Sequence, residues 1–203
     1  MVVIGLTGGI ASGKSTISNM LMDMEIPVID ADVIARDVVK PETDTLKRLV
    51  QKFGEDILNI DGTLNRKELS NIVFNDRESL KQLNLIIHPA IKNAIMNKLN
   101  EYKKSKEKYC VVDAALLIEA NFIDIVDCVI LVYVNRKIQV ERLMNRDKIS
   151  MEEAERKIDS QMSLDEKMKY ADYLVDNNND VENTRLQLKS IIKEIFNLEE
   201  RDG

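Results

Sequence analysis

The octapeptide Gly8–Ser15, GGIASGKS, constrains this chain more than any other stretch. Gly8, four residues, Gly13, Lys14 and Ser15 satisfy the phosphate-loop spacing G-x-x-x-x-G-K-[ST] at each required position. The flanks fit as well. Val2 to Leu6 form a short apolar, partly β-branched run suited to a buried strand. From Ser15 to Met24, apolar side chains recur at Ile17, Met20, Leu21 and Met24, a helical spacing. A chance glycine turn would satisfy the pattern without this strand–loop–helix order. Glycines at 8, 9 and 13 permit backbone angles that a Cβ opposes, so successive N–H groups can turn inward onto phosphate oxygens. The helix start adds its unsatisfied N–H groups and the positive end of its dipole. In such a loop the lysine reaches the β- and γ-phosphates and the following hydroxyl sits on Mg²⁺. Gly9, Ile10, Ala11, Ser12, Gly13, Lys14, Ser15 and Thr16 are therefore expected to hold a nucleotide's phosphates, with Ser15 on the metal.

A chain of 203 residues, 44% apolar and 32% charged, fits a globular protein with one core and room for insertions. Its net charge of −6 gives no global positive field for nucleic acid or an anionic membrane, so neither partner is expected. The glycine-broken apolar stretch at the N-terminus has no basic segment before it, and no apolar run nears the ~18 residues of a membrane span. Cys110 and Cys128 fall in expected buried strands and read as reduced core residues. Two cysteines and the single His88 make a poor zinc site. A cytoplasmic location is expected.

Ile26–Ile29 reads as a second strand ending at Asp30-Ala31-Asp32. Carboxylates beyond the carboxyl end of a strand lie where open α/β sheets bind ligands. Asp32 is a candidate functional residue on that ground, although it could also cap a helix from Val33 to Val39. From Pro41 to about Lys108 the pattern is helical. One helix runs from Glu42 to Phe53 and stops at Gly54, and another is opened by Asn65 and Glu68 and runs to Phe74. A third, Arg77–Ile87, is expected to break at His88-Pro89 before a longer helix to about Lys103. Such a block between strands suggests an insertion that builds an acceptor pocket, the bland alternative being a cap on the sheet. A lone histidine before proline reads first as structural.

Tyr109–Asp113 reads as a buried strand whose terminal Asp113 is placed to help hold Mg²⁺, and Cys128–Val134 as the cleanest buried strand of the chain. Asn135 can cap the next helix, on which Arg142 and Arg146 are four apart and share a face. Arg136, Lys137 and Lys148 add to a basic stretch suited to anion contact, or to an ordinary solvated face. Ser150 with Glu153 and Ser163 with Glu166 are capping boxes for two short helices, and the link Asp147–Ile149 could let this region move as a flap. A last strand, Tyr173–Val175, precedes Asp176-Asn177-Asn178-Asn179 and a helix from Val181 to Leu198, with a frayed tail at 199–203. Five strands alternating with helices imply an α/β fold on a parallel five-stranded sheet. Cys110 and Cys128 then fall in strands that need not be neighbours, which disfavours a disulfide.

No N-K-x-D stretch of the guanine-reading kind is present. The assembled motifs resemble the dephospho-coenzyme A kinase family. They are GLTGGIASGKST (5–16), VIDADVIAR (28–36), DGTLNRKEL (61–69), LNLIIHP (83–89), LLIE (116–119), RLMNRD (142–147) and AD-x-L-V-D-N-N (171–178). The resemblance implies a P-loop kinase fold with a helical acceptor-binding insertion and a helical lid. It implies ATP and dephospho-coenzyme A as substrates, Mg²⁺ as cofactor, and phosphorylation of the ribose 3′-hydroxyl. The expected division is a nucleotide core at 1–31, 109–138 and 162–203, an acceptor domain at 32–108 and a lid at 139–161. Asp32 is then the expected base, with Lys14, Arg142 and Arg146 completing the catalytic set. Asn177 joins the ATP-binding set, and Thr7, Asp32, Arg36, His88, Leu117 and Glu119 form the acceptor set. Two positions depart from the family pattern: Ala115, where proline is usual before LL-x-E, and Asn179, where glycine often follows D-N-N. A kinase for another small acceptor, such as a nucleoside monophosphate, and a non-catalytic nucleotide sensor are the rival readings. A monomer or small homo-oligomer is expected.

Overall fold

A computed structural model describes residues 1–74 and 76–202, apart from the side chains at 74 and 198–202. The chain forms two compact units, Met1–Ile29 with Tyr102–Gly203, and Asp30–Glu101.

The first unit is built on the expected parallel five-stranded sheet, in the order β2-β3-β1-β4-β5. Its strands are β1 (Val2–Gly8), β2 (Val28–Asp30), β3 (Tyr109–Asp113), β4 (Cys128–Tyr133) and β5 (Tyr173–Asp176). Central β1 pairs in parallel with both β3 and β4, through Ile4 opposite Val111 on one side and Leu6 opposite Ile130 on the other. Strands buried on both faces read as continuous apolar runs, which is why β3 and β4 stood out in the sequence. Helices α1 (Lys14–Asp23) and α9 (Val181–Asp202) cover one face. Ile17, Met20 and Leu21 from α1, and Leu188, Ile192 and Ile195 from α9, close a core over Ile4, Leu6, Val111, Ile130, Val132 and Val175. Each such side chain, fully buried, contributes about 1.5–3 kcal/mol. The α9 backbone is helical to Asp202, past the expected end at Leu198; Gly203 lies outside the described residues. Cys110 and Cys128 are free thiols on strands separated by β1. Burial pushes both up to about 12, so they stay protonated.

Also in this unit, α6 (Arg136–Asp147) and α7 (Met151–Asp159) pack through Val140, Leu143, Ala154 and Ile158. Lys148 links them with a left-handed backbone at φ 56°. Asn135 caps α6 and a complete capping box at Ser150 opens α7, both as expected. A second box at Ser163 opens the short α8 (Leu164–Lys167).

The second unit is helical: α2 (Ala31–Asp37), α3 (Asp44–Phe53), α4 (Arg66–Phe74) and most of α5 (Arg77–Lys104). It carries its own core of Val39, Leu49, Ile57, Leu69, Val73 and Ile86. Gly54 ends α3 at φ 89°, and the Asn65 side chain accepts from the Glu68 amide at 3.1 Å. The expected break at His88-Pro89 is absent: α5 runs through Pro89 as one helix of 28 residues. Proline removes one backbone bond and displaces the carbonyl four residues earlier, here that of Leu85. Leu85 is 55% exposed, so the displaced turn lies on the solvent side of the helix. Ile86 before the proline and Ile91, Ile95 and Leu99 after it are all buried, which holds both halves in one helix.

Candidate active site

The phosphate loop leaves the carboxyl end of β1, the central strand, where ligands bind in open α/β sheets. Gly13 takes a left-handed backbone at φ 91° as it enters α1. A Cβ there would lie 2.1 Å from Asn177 Nδ2, so both the angle and the space require glycine. Ala11 is also left-handed, at φ 59°, an angle that disfavours any side chain and that the spacing alone did not indicate. Ser12 is buried, and its hydroxyl makes no hydrogen bond among the described residues. Ser15 and Thr16 are exposed in the first turn of α1.

Side chains from elsewhere in the unit clamp this loop. Gln139 Nε2 on α6 donates to the Ile10 carbonyl at 2.8 Å, and the Ile10 amide donates to Gln161 Oε1 at 3.0 Å. Asn177 is a strut: its Nδ2 donates to the Ser12 carbonyl at 2.8 Å and its Oδ1 accepts from Thr184 Oγ1 at 3.0 Å. Arg142 donates to the Asn177 carbonyl at 3.0 Å, which places this arginine beside the loop. Arg146 does not share that contact; its guanidinium lies on Asp147, with Nε 2.8 Å from Oδ1. Two arginines that share a helical face in the sequence thus have different partners.

Lys14 pairs with Asp113, the buried last residue of β3. The loop lysine and the carboxylate singled out as a metal ligand therefore stand together. For a Mg²⁺ ion the available protein donors are the Ser15 hydroxyl and the Asp113 carboxylate. No group of three or more His, Cys, Asp or Glu suited to a metal occurs among the described residues. One hydroxyl and one carboxylate, completed by phosphates and water, suit Mg²⁺ better than an all-protein cage would. The residues fit the ion.

Around the loop that follows β3, Thr7 Oγ1 donates to the Ala115 carbonyl at 3.2 Å. Leu117 is fully buried, and a Cβ on Gly5 would lie 2.8 Å from its Cδ2, so its side chain belongs to the core. Glu119 is engaged by Lys167, at 3.0 Å to Oε1. The departure at Ala115 leaves its carbonyl with two donors, Thr7 and Lys167. The departure at Asn179 is equally benign, because this residue is not among those with positive φ. Asp176 instead holds the turn, its Oδ1 accepting from the Asn178 amide at 2.9 Å.

In the helical unit, Asp30, not Asp32, caps α2. Its Oδ1 accepts from the Asp32 amide at 2.8 Å and the Val33 amide at 3.0 Å. Asp32 is exposed in the first turn, with its carboxylate left out of the cap. Arg36 Nε donates to the Asp32 carbonyl at 3.2 Å. His88 is half-buried on α5, and burial lowers its pKa, which favours the neutral imidazole. Gln139, Gln161, Thr184 and Lys167 were not legible in the sequence: the partners of the two glutamines lie more than a hundred positions away, and no cap or helical-face pattern marks the contacts of Thr184 with Asn177 or of Lys167 with Ala115 and Glu119.

A phosphate loop on a parallel sheet of this order, with a helical pair clamped to it, defines the class: a P-loop kinase fold. A shikimate kinase from Acinetobacter baumannii shares that fold, at a TM-score of 0.52 and 17% identity over 97% of this chain and 94% of its own. Within the class the family is specific. The dephospho-CoA kinase (CoaE) family model matches residues 2–183, and the chain belongs to that family. The dephospho-CoA kinase of Oceanobacillus iheyensis is 45% identical over 191 residues, covering 94% of this chain and 96% of its own. The solved dephospho-CoA kinase from Campylobacter jejuni superposes at a TM-score of 0.71 with 30% identity, covering 95% and 96% of the two chains.

Proposed function

We propose that this chain transfers the γ-phosphoryl group of ATP to the 3′-hydroxyl of dephospho-coenzyme A, giving coenzyme A and ADP. Family membership across residues 2–183 carries the reading. The phosphate loop with its buried Ser12 hydroxyl and its Lys14–Asp113 pair supports it.

Phosphoryl transfer is mainly positioning and charge stabilisation. The backbone amides from Gly9 to Thr16, the Ser12 hydroxyl and the Lys14 ammonium bind the ATP phosphates. Ser15 and Asp113 would hold Mg²⁺, which would supply positive charge to offset that of the phosphates. Asp32 accepts the proton of the 3′-hydroxyl as the ribose oxygen bonds to the γ-phosphorus and the bridging oxygen leaves with ADP. Arg142 and Arg146 close over the transferring group and exclude water, so that ATP is not spent on hydrolysis. Asn177 carries ATP indirectly, through the loop backbone it supports. Thr7, Arg36 and His88 complete the acceptor side in this reading, whereas the Leu117 side chain lies in the core and Glu119 is engaged by Lys167. The working division is a nucleotide core, an acceptor domain at 32–108 and a lid at 139–161. No helix among the described residues is long and apolar enough to cross a membrane; both substrates are water-soluble, and the reading places the enzyme in the cytoplasm.

The test is Mg²⁺-dependent ATP consumption with dephospho-coenzyme A, AMP, CMP or shikimate as the acceptor. Turnover with dephospho-coenzyme A alone is expected; turnover only with another acceptor would overturn the assignment.

A further inference from the structure

Lys167, the last residue of α8, is fully buried, and the chemistry above makes no use of it. Burying an ammonium costs several kcal/mol even after relaxation, so its partners must be specific. Its Nζ donates to the Ala115 carbonyl at 2.6 Å and stands 3.0 Å from Glu119 Oε1 and 3.1 Å from Oε2. Burial lowers its pKa, and the hydrogen bond and charge of Glu119 act in the opposite direction. Glu119 also accepts from the Met162 amide at 3.3 Å. One residue earlier, Gln161 Oε1 holds the Ile10 amide of the phosphate loop. Thr7, at the end of β1, shares the Ala115 carbonyl with Lys167.

These bonds form a continuous path: α8, the loop after β3, the residues that follow α7, and the phosphate loop. Buried ion pairs are often no more stabilising than apolar residues of the same volume. What a directional pair supplies is register between segments that apolar packing would let slide. The register at stake joins the loop that follows Asp113 to the segment at 161–162 that carries the end of the α6–α7 pair.

We propose that Lys167 is a positioning residue for phosphoryl transfer, anchoring the trailing end of the lid to the β3 loop through Glu119. Glu119 then serves the lid and not the acceptor. The proposal rests on the phosphotransferase reading above.

Lys167→Met, Glu119→Gln and the double variant test it in steady-state kinetics with ATP and dephospho-coenzyme A. A lid held out of register by about an ångström costs on the order of 10- to 100-fold in rate, so each single variant is expected to lose that much kcat. KM for dephospho-coenzyme A should stay within about threefold, because the acceptor's own contacts are untouched. The double variant should be no slower than the slower single one, as for two residues acting as a unit. Amide hydrogen exchange at Met162 should be faster in all three. A raised acceptor KM with kcat kept would make Glu119 an acceptor contact and overturn the proposal; so would kcat within about twofold of wild type in both singles. Should Lys167→Met fail to fold, Glu119→Gln and the charge-free double variant carry the same test. If the wild-type chain phosphorylates only another acceptor, the functional reading fails by itself. The kcat split with that acceptor, and exchange at Met162, still decide the anchor.

Discussion

At the scale of single residues, the two aspartates after β2 show how the same side chain takes different duties by position. Asp30 spends its carboxylate on two amides of α2. That bond set leaves Asp32 out of the cap, in the first turn and exposed. The sequence allowed either residue to cap, because both precede a helical run, and only backbone geometry separates them. General-base assistance is worth roughly 10²–10⁴ in rate, so Asp32→Asn should lower kcat by about that factor with ATP affinity retained. Isothermal titration with ATP beside steady-state rates checks this; near wild-type kcat would remove Asp32 from the role. The loop at 8–16 was legible as a strand–loop–helix passage, since its glycines and lysine stand in fixed order, whereas the left-handed angle at Ala11 was not. The struts that hold the loop were not. Asn177 sits 165 positions from the Ser12 carbonyl it supports, and nothing local to it marks that contact.

At the scale of elements, the α6–α7 pair carries a contact that pH can control. Asp147 bridges it, accepting from Arg146 Nε at 2.8 Å and from Lys157 Nζ at 3.0 Å. Those bonds hold its carboxyl down at about 2, below its ordinary value near 3.8. A carboxylate with a depressed folded-state pKa contributes stability above its unfolded value, and that contribution is lost as pH falls through the folded one. The α6–α7 pair should therefore loosen between about pH 4 and pH 2, and Asp147→Asn should loosen it across the range above pH 4. Amide exchange over residues 148–160, followed against pH, reads this directly; an acid response in the Asn variant equal to that of wild type would exclude Asp147 as its source. The two capping boxes and the Asn135 cap were visible as sequence patterns because their partners lie three residues apart. Pro89 misled for the converse reason. A proline's local cost was plain, but the buried isoleucines on either side that outweigh it belong to packing.

At the scale of the whole molecule, the alternation of strands with helices was enough to predict a parallel five-stranded sheet. The strand order β2-β3-β1-β4-β5 was not readable, because adjacency depends on crossovers that leave no periodicity in the chain. The helical stretch before β3 was legible as an insertion by its lack of strands, and the structure gives Asp30–Glu101 a compact unit with a core of its own. The central claim is that phosphate passes from ATP to one hydroxyl. It is tested most directly by incubating the protein with Mg²⁺, γ-labelled ATP and dephospho-coenzyme A, and identifying the labelled product by mass spectrometry and phosphorus NMR. The account predicts stoichiometric label in a new phosphomonoester at the ribose 3′ position. Label released only as inorganic phosphate, or found at any other position, would contradict it.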